Sequence, residues 1–353
     1  MARSTPFSGL GPKIKSAYKS ALENNHVLFT DSEVIEADEN DIPARDLRRR
    51  HPLQKKPTLA DSNKDSNDQR RPTESKPDPF SPPYPEGMFV TEDSVYEDEE
   101  DTIGEKFVVL LNKFCVTPRH FLIVTKDFAP QTSPLTPLEL VATYSILKQL
   151  GSKEKHLAFF NCGPLSGASQ PHKHLQFIPL SNGVAPFDAF IDTHKPENPK
   201  DPFQLPLPYA NFTMLLAPSS DENLSLYFSS VFLPLLDLMI EHLRRLAHHD
   251  NDQRISLSSL SYNVIMTTSY IHVVPRTREE FILESGDKVS VNSLGFAGML
   301  LVKSQETLNA VKEIGVLKVL EGVGHRPVAA GESVDEVKGG KELAGAAPPK
   351  QQD

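Results

Sequence analysis

The stretch GPLSGASQPHKHLQFIPL, residues 163 to 180, sets His172, His174 and Gln176 at a spacing of two behind a run of small and polar residues. In an extended strand successive side chains alternate faces. Two imidazoles and an amide then share one face, and Lys173, Leu175 and Phe177 share the other. Leu175 and Phe177 anchor the strand in a core, while the histidines and Gln176 line a cleft. Three chemistries suit such a pair. Two imidazoles at i and i+2 can chelate zinc, although Gln176 is a poor third ligand and no nearby cysteine completes a set. The pair can be structural, each ring satisfied by neighbouring carbonyls. Or one imidazole can attack phosphorus while a second group fixes its tautomer.

The preceding loop favours the third chemistry. SGAS, residues 166 to 169, offers little to obstruct the backbone, so amide N–H groups can approach a phosphate closely. Gly167 and Ala168 keep that cradle open, and Ser166, Ser169 and Gln170 add donors. Pro171 fixes φ where the loop meets the strand. A phosphate cradle leading into such a strand points to attack on a phosphoryl group.

Other elements must hold that strand in place. Residues 11 to 24 read as a short amphipathic helix through Ile14, Ala17, Tyr18, Ala21 and Leu22. The segment after it opens strand-like and ends in the basic cluster Arg48, Arg49, Arg50, Lys55 and Lys56. From Asp61 to Pro85 the chain is rich in Pro, Ser, Asp and Asn without an apolar period, so residues 57–85 are expected to be a disordered linker or surface loop. KFVVLLNKF and HFLIVTKDF read as adjacent strands. Thr136, Pro137 and Glu139 then start a helix as cap, first-turn proline and capping-box carboxylate.

Further strands are expected at HLAFFNCG, NFTMLLAP, SYNVIMTT and YIHVVPR. A long helix is expected from Ser219 to about His248, kinked at Pro234. The strands cluster with helices between pairs of them and no βα alternation, which predicts an α+β fold with a largely antiparallel sheet and flanking helices. Residues 1–56 and 86–326 are assigned to one catalytic domain, and 327–353 to a disordered tail.

A net charge of −10 argues against nucleic acid as a bulk partner. No window holds 18 uninterrupted apolar residues, so no membrane span is expected. The N-terminus lacks the apolar core of a signal peptide, so a cytoplasmic, or cytoplasmic and nuclear, location is expected. Cys115 and Cys162 sit in apolar runs and read as buried small hydrophobes. The remaining histidines, including His120, His156, His194, His248 and His249, have no partner at a telling spacing and read as surface or structural groups.

At GASQPHKHLQ the chain resembles the histidine triad superfamily, and within it the ATP adenylyltransferases, the fungal diadenosine tetraphosphate phosphorylases. LNKF followed by HFLIVTK, SPLTPLELVATYSILKQLG, SYNVIMT with VVPR, and VNSLGFAGMLLVK match the same pattern. The resemblance implies a histidine-triad-like fold, related to the hexose-1-phosphate uridylyltransferases. It implies phosphorolysis of diadenosine tetraphosphate to ATP and ADP through an adenylyl group held on histidine. ADP release from adenylyl sulfate would use the same intermediate. His174 takes the nucleophile's position and His172 that of the supporting imidazole.

Gln176 stands where the hydrolytic branch has a third histidine. A glutamine cannot act as a general acid, so the leaving group must depart as a stable anion, which polyphosphate does (terminal ionisation near pH ~6 by analogy with phosphate monoesters).

The same resemblance places Lys56 on the polyphosphate, with Lys55 an equal competitor. It places Asn112 and Asn161 near the nucleoside and the attacked phosphate, and Asn292, Gly295 and Lys303 in a substrate-contacting segment. Gly295 and Gly298 would let that segment approach the nucleotide. No tightly bound cofactor is expected, magnesium arriving with the nucleotide, and the partners are dinucleotide, phosphate, ATP and ADP, met by a monomer. Two departures stand out: TSYIHVVPR where the family commonly has a basic or aromatic residue after MT, and the Asp61 to Pro85 insertion. A hexose-1-phosphate uridylyltransferase and a dinucleotide-binding sensor with an idle strand are the alternatives.

Overall fold

The computed structural model describes residues 5–29, 32–39, 42–50, 77–97, 104–115, 117–180, 183–185, 187–220, 222–249 and 260–328. Lys55, Lys56 and the tail beyond 328 lie outside the described residues, as does the 57–76 part of the expected linker.

In chain order the elements are α1 (Leu10–Glu23), β1 (Ser32–Glu39), β2 (Ile42–Arg50), β3 (Phe89–Val95), β4 (Glu105–Leu111), β5 (Phe121–Thr125), α2 (Pro137–Gly151), β6 (His156–Cys162) and β7 (His174–Pro179). They continue with α3 (Asp188–His194), β8 (Phe212–Leu215), α4 (Leu224–His249), β9 (Tyr262–Met266), β10 (Tyr270–Pro275), β11 (Glu280–Ile282) and β12 (Lys288–Ser290). The last are α5 (Ser293–Phe296), β13 (Leu301–Val302), α6 (Gln305–Ile314) and α7 (Val316–Glu321).

Eight strands form one sheet in the order β3-β4-β5-β7-β6-β9-β10-β8, every pair antiparallel. The expected α+β class with a largely antiparallel sheet is therefore what folds. β13 adds in parallel to β2 in a separate three-stranded sheet.

Period-two alternation gives the large sheet two apolar faces. On one, Phe107, Ile123, Leu175, Phe177, Phe160 and Val264 join side chains of α1, α2 and α4 in the main core. On the other, Phe159, Ile178 and Ile265 pack with Phe296, Leu308 and Val319, while Val108, Leu110, Leu122 and Val124 form a smaller cluster beneath Phe80 and Tyr84. α4 is apolar along its inner stripe, Phe228, Val231, Leu235, Met239, Leu243 and Leu246 being buried in the main core. Its first turn differs from the sequence expectation. Helix begins at Leu224, where Asn223 Oδ1 accepts the N–H of Leu226 (3.0 Å), and ahead of it the Ser219 N–H donates to the Glu222 carboxylate (3.1 Å).

α2 begins as its sequence demands. The Thr136 hydroxyl accepts the Glu139 N–H, and Glu139 Oε2 accepts the Thr136 N–H at 2.7 Å. The same carboxylate also lies 2.7 Å from Lys173 Nζ, with both side chains buried. Lys173 donates further to the Pro134 carbonyl at 2.6 Å. Lys173 stands on the strand's core-facing side with Leu175 and Phe177, where the buried carboxylate draws its amine inward and ties the histidine strand to the start of α2.

Candidate active site

β7 is the sheet's fourth strand and pairs with β5 through Val124↔His174 and Leu122↔Gln176, and with β6 through Phe159↔Gln176. His174 and Gln176 therefore stand with Leu122 and Val124 on the face away from the main core, between the second and third apolar clusters. The shared face of these two residues follows the sequence expectation. His172 does not lie within β7. It makes an isolated bridge with Pro130, and its ring is fully buried.

The ring of His174 is held by one bond. Its Nδ1 lies 2.8 Å from the His172 carbonyl, which can only accept, so Nδ1 carries the proton and Nε2 keeps its lone pair. Burial pushes this imidazole's pKa down to about 4, against the opposing bond to His172, so the ring is neutral at physiological pH. The help from His172 thus comes through its backbone oxygen rather than its imidazole.

That imidazole is engaged elsewhere: Nδ1 faces Asp78 Oδ2 at 2.7 Å and Nε2 faces the Thr125 carbonyl at 2.8 Å. Nε2 also lies 3.1 Å from the Thr125 hydroxyl, so both ring nitrogens are occupied by protein oxygens and neither is open to zinc. Asp78 is pushed up by burial. The Phe80 N–H, the His172 ring and the Ser81 hydroxyl outweigh that push and hold its carboxyl below the usual range.

Asp78 and Phe80 correct the linker assignment over residues 77–85. Phe80 lies over the His174 ring, centroids 4.9 Å apart, and Tyr84 stacks on Phe89. Two aromatic rings and one carboxylate anchor this proline-rich stretch to the sheet. The averaged composition of the segment conceals them.

Gln176 is oriented by a second pair. Its Oε1 lies 3.0 Å from His120 Nε2 and 3.5 Å from Asn112 Nδ2. An amide oxygen accepts, so His120 donates from Nε2 and takes the Asn112 N–H on Nδ1 at 3.3 Å. The remaining Gln176 amide N–H groups are then the ones free to meet substrate. His120, read from sequence as surface or structural, is buried beside the site, and burial lowers its pKa to about 4. His120→Phe is expected to keep the fold and lower kcat by about 10- to 100-fold, the usual range for groups that orient a reacting residue. Steady-state rates checked against an unchanged melting temperature measure it.

Asn161 sits beside His174 across the β6–β7 boundary, where Gln131 binds the backbone of both. Its Nε2 donates to the Asn161 carbonyl (2.8 Å) and its Oε1 accepts the His174 N–H (2.8 Å). The Asn161 Oδ1 accepts from Asn263 Nδ2 (2.8 Å), the Ser293 N–H (3.0 Å) and the Ser293 hydroxyl (2.7 Å).

In the loop, Gly163 and Gly167 have φ of +84° and +82°, the left-handed region that favours glycine. A Cβ on Gly167 would come within 2.8 Å of Asn292 Cβ, so loop and C-terminal segment meet there. Ser166 is corrected. Its hydroxyl is buried and donates to the Gly163 carbonyl at 2.6 Å, closing the turn rather than facing a phosphate. Ala168, Ser169 and Gln170 remain at least partly exposed at the loop's crest.

Asn292 caps α5 through the Leu294 N–H (2.9 Å). Gly295 is also corrected: its missing side chain makes room for Val291, Leu300 and Leu320, a packing role. Lys303 is exposed just beyond β13. The structure therefore gathers His174, Gln176, Asn112 and Asn161, with loop 166–170 and Asn292 against each other beside Asn161. No described contact joins Lys303 to them. Asp78, Phe80, His120, Gln131, Asn263 and Ser293 are the additions.

Comparisons with known proteins follow the same lines. Residues 5–192 match the Ap4A phosphorylase N-terminal domain, and residues 205–326 the ATP adenylyltransferase C-terminal domain. The diadenosine 5',5'''-P1,P4-tetraphosphate phosphorylase 2 of Saccharomyces cerevisiae is 31% identical over 324 residues, covering 86% of this chain and 90% of that protein. Protein APA1 of the same yeast is 28% identical over 319 residues, covering 85% and 88%. The crystal structure of yeast Ap4A phosphorylase Apa2 in complex with Ap4A superposes with a TM-score of 0.69 at 30% identity, covering 93% of this chain and all of that one.

Proposed function

The chain belongs to the Ap4A phosphorylase family, which splits diadenosine tetraphosphate with phosphate into ATP and ADP, and we propose that it does so through an adenylyl group carried on Nε2 of His174. The single observation that carries this reading is the bond from His174 Nδ1 to the His172 carbonyl, which leaves Nε2 with a free lone pair. In the first half-reaction Nε2 forms a bond to one terminal phosphorus of the tetraphosphate as the P–O bond to ATP breaks. In the second, a phosphate oxygen takes the adenylyl group, the P–N bond breaks, and ADP leaves with His174 neutral again.

No acid is needed, because ATP departs as an anion. Gln176 and Asn161 supply amide N–H donors where charge grows on the non-bridging oxygens, and the backbone of loop 166–170 is open to the same phosphates. Magnesium comes with the polyphosphate, whose charge attracts it. The two family matches remove the uridylyltransferase alternative. Adenylyl sulfate offers the same adenylyl group with a good leaving anion and is a second substrate on this reading.

The low pKa of His174 has a kinetic consequence. An unprotonated ring is competent, so kcat/KM for the dinucleotide should stay level from about pH 8 down to about pH 5. Its acid limb should fall near the value of about 4, well under the 6.5 of an ordinary histidine. A limb at 6.5 would show that burial does not tune the nucleophile.

Lys303, exposed just beyond β13, is the cation we assign to the outer phosphates in a chain of net charge −10, on the strength of the family resemblance. Lys303→Ala should raise KM for the dinucleotide about 10-fold and leave kcat within about 3-fold, the pattern for uniform binding. An unchanged KM removes Lys303 from the site.

A further inference from the structure

Among the described residues Arg276, which follows β10, is the largest fully buried side chain, and the acceptors of its guanidinium are all neutral oxygens. Nη1 donates to Asn263 Oδ1 (2.5 Å) and the Ser166 carbonyl (3.4 Å). Nη2 donates to the carbonyls of Arg278 (2.7 Å), Glu279 (3.4 Å) and Val291 (2.9 Å), and Nε to that of Val323 (3.2 Å). The Phe296 ring covers the guanidinium, 5.1 Å from centroid to Cζ. Such a buried cation is costly unless every donor is satisfied. Among the described residues no carboxylate is in ion-pair contact with it. Its position at the back of the phosphate loop calls for a reason.

The reason lies in the direction of its hydrogen bonds. A guanidinium donates and never accepts. Asn263 must therefore turn its oxygen to Arg276, which sends its Nδ2 to Asn161 Oδ1 (2.8 Å) and to the Ser166 carbonyl (2.9 Å). With its oxygen claimed by Asn263 and Ser293, Asn161 has its amide N–H groups left for the position beside His174. Reversed, the same side chain would offer an oxygen to an anionic phosphate and repel it. Arg276 also grips Ser166 and Val291, so it joins the loop and the C-terminal segment on either side of this chain of amides.

We infer that Arg276 is a positioning residue for catalysis: through Asn263, and together with the Ser293 N–H that meets the same oxygen, it holds the polarity of Asn161, so that the attacked phosphate meets an N–H donor beside the nucleophile. The inference rests on the role given to Asn161 above. It adds to that role a control located at the far side of the loop, in a residue out of reach of the substrate.

The test is a cycle of variants in the full-length protein. Asn161→Ala alone should lower kcat about 100-fold, the effect of removing one donor to developing charge. Arg276→Met should lower kcat by about 10- to 100-fold and shift KM for the dinucleotide less than about 3-fold. In the Asn161→Ala background, Arg276→Met should cost less than about 2-fold more, because the group it orients is gone.

Should Arg276→Met fail to fold, as its melting curve would show, Asn263→Ala takes its place in the cycle. That variant leaves Arg276 its carbonyl partners and cuts only the amide chain. Full additivity in kcat, or an Asn263→Ala enzyme with normal kcat, overturns the inference. A normal kcat in Asn161→Ala would instead overturn the underlying role of Asn161, so the two failures are distinct.

Discussion

Replacing His174 by alanine is expected to abolish ATP formation from diadenosine tetraphosphate and phosphate, by about 10⁴-fold or more, the scale seen when a covalent nucleophile is removed. The size follows from how little else in the site can attack phosphorus. His172 has both nitrogens committed to Asp78 and Thr125, and His120 donates to Gln176. Cys162 is buried, and burial lifts its thiol to about 11, so it supplies no thiolate.

The protein should survive the change. Alanine removes one hydrogen bond to a carbonyl and part of the contact with Phe80, about 1–3 kcal/mol together, while the backbone bonds from Gln131 stay. The check is a luminescent ATP assay with and without phosphate, beside a thermal melt. Wild type should make ATP at full stoichiometry only with phosphate, and His174→Ala neither way. A folded alanine variant within about 100-fold of wild type would mean that another group, or phosphate itself, attacks.

The second large effect is on stability. Glu139→Ala should cost about 3–5 kcal/mol, because it strands a buried ammonium. Glu139 holds Lys173 at 2.7 Å and also accepts the Thr136 N–H that starts α2. Burial pushes its pKa up, and the charge and hydrogen bond of Lys173 oppose that push. Glu105, which burial and then the charge of Glu139 raise to about 7, also feels Lys173. It offers a partial substitute, which puts the expected loss nearer 3 kcal/mol.

The double variant Lys173→Met with Glu139→Leu should regain most of this, since apolar groups of similar volume replace a buried pair at little cost. Chemical denaturation of the three proteins measures it. A single variant that loses under about 1 kcal/mol would show that the pair does not anchor the histidine strand.

What could be read from the sequence were the features that depend on local spacing. The period of two gave His174 and Gln176 a common face, and the capping box located the first residue of α2. His172 stood two residues earlier in the same pattern. It falls outside the strand because Pro171 and the Pro130 bridge hold it in the preceding turn.

The missed residues are joined to the site by strand register, which spacing does not encode. Asp78 reaches His172 across 94 positions and Arg276 reaches Ser166 across 110. Signals existed for some of them. Asn263 is a polar residue in an otherwise apolar strand, YNVIM, where a buried amide needs partners. Phe80 and Tyr84 were aromatic anchors in a segment judged by its prolines. His120 carried no signal, since its meaning depends on β5 lying beside β7.

The most direct measurement is mass spectrometry of the wild-type protein quenched after mixing with diadenosine tetraphosphate in phosphate-free buffer. One adenylyl group should appear on the peptide bearing residues 172 to 176, be localised by fragmentation to His174, and vanish as ADP forms when phosphate is added. An unmodified protein that still turns over at full rate once phosphate is present, or an adenylyl group on any other side chain, would contradict the mechanism.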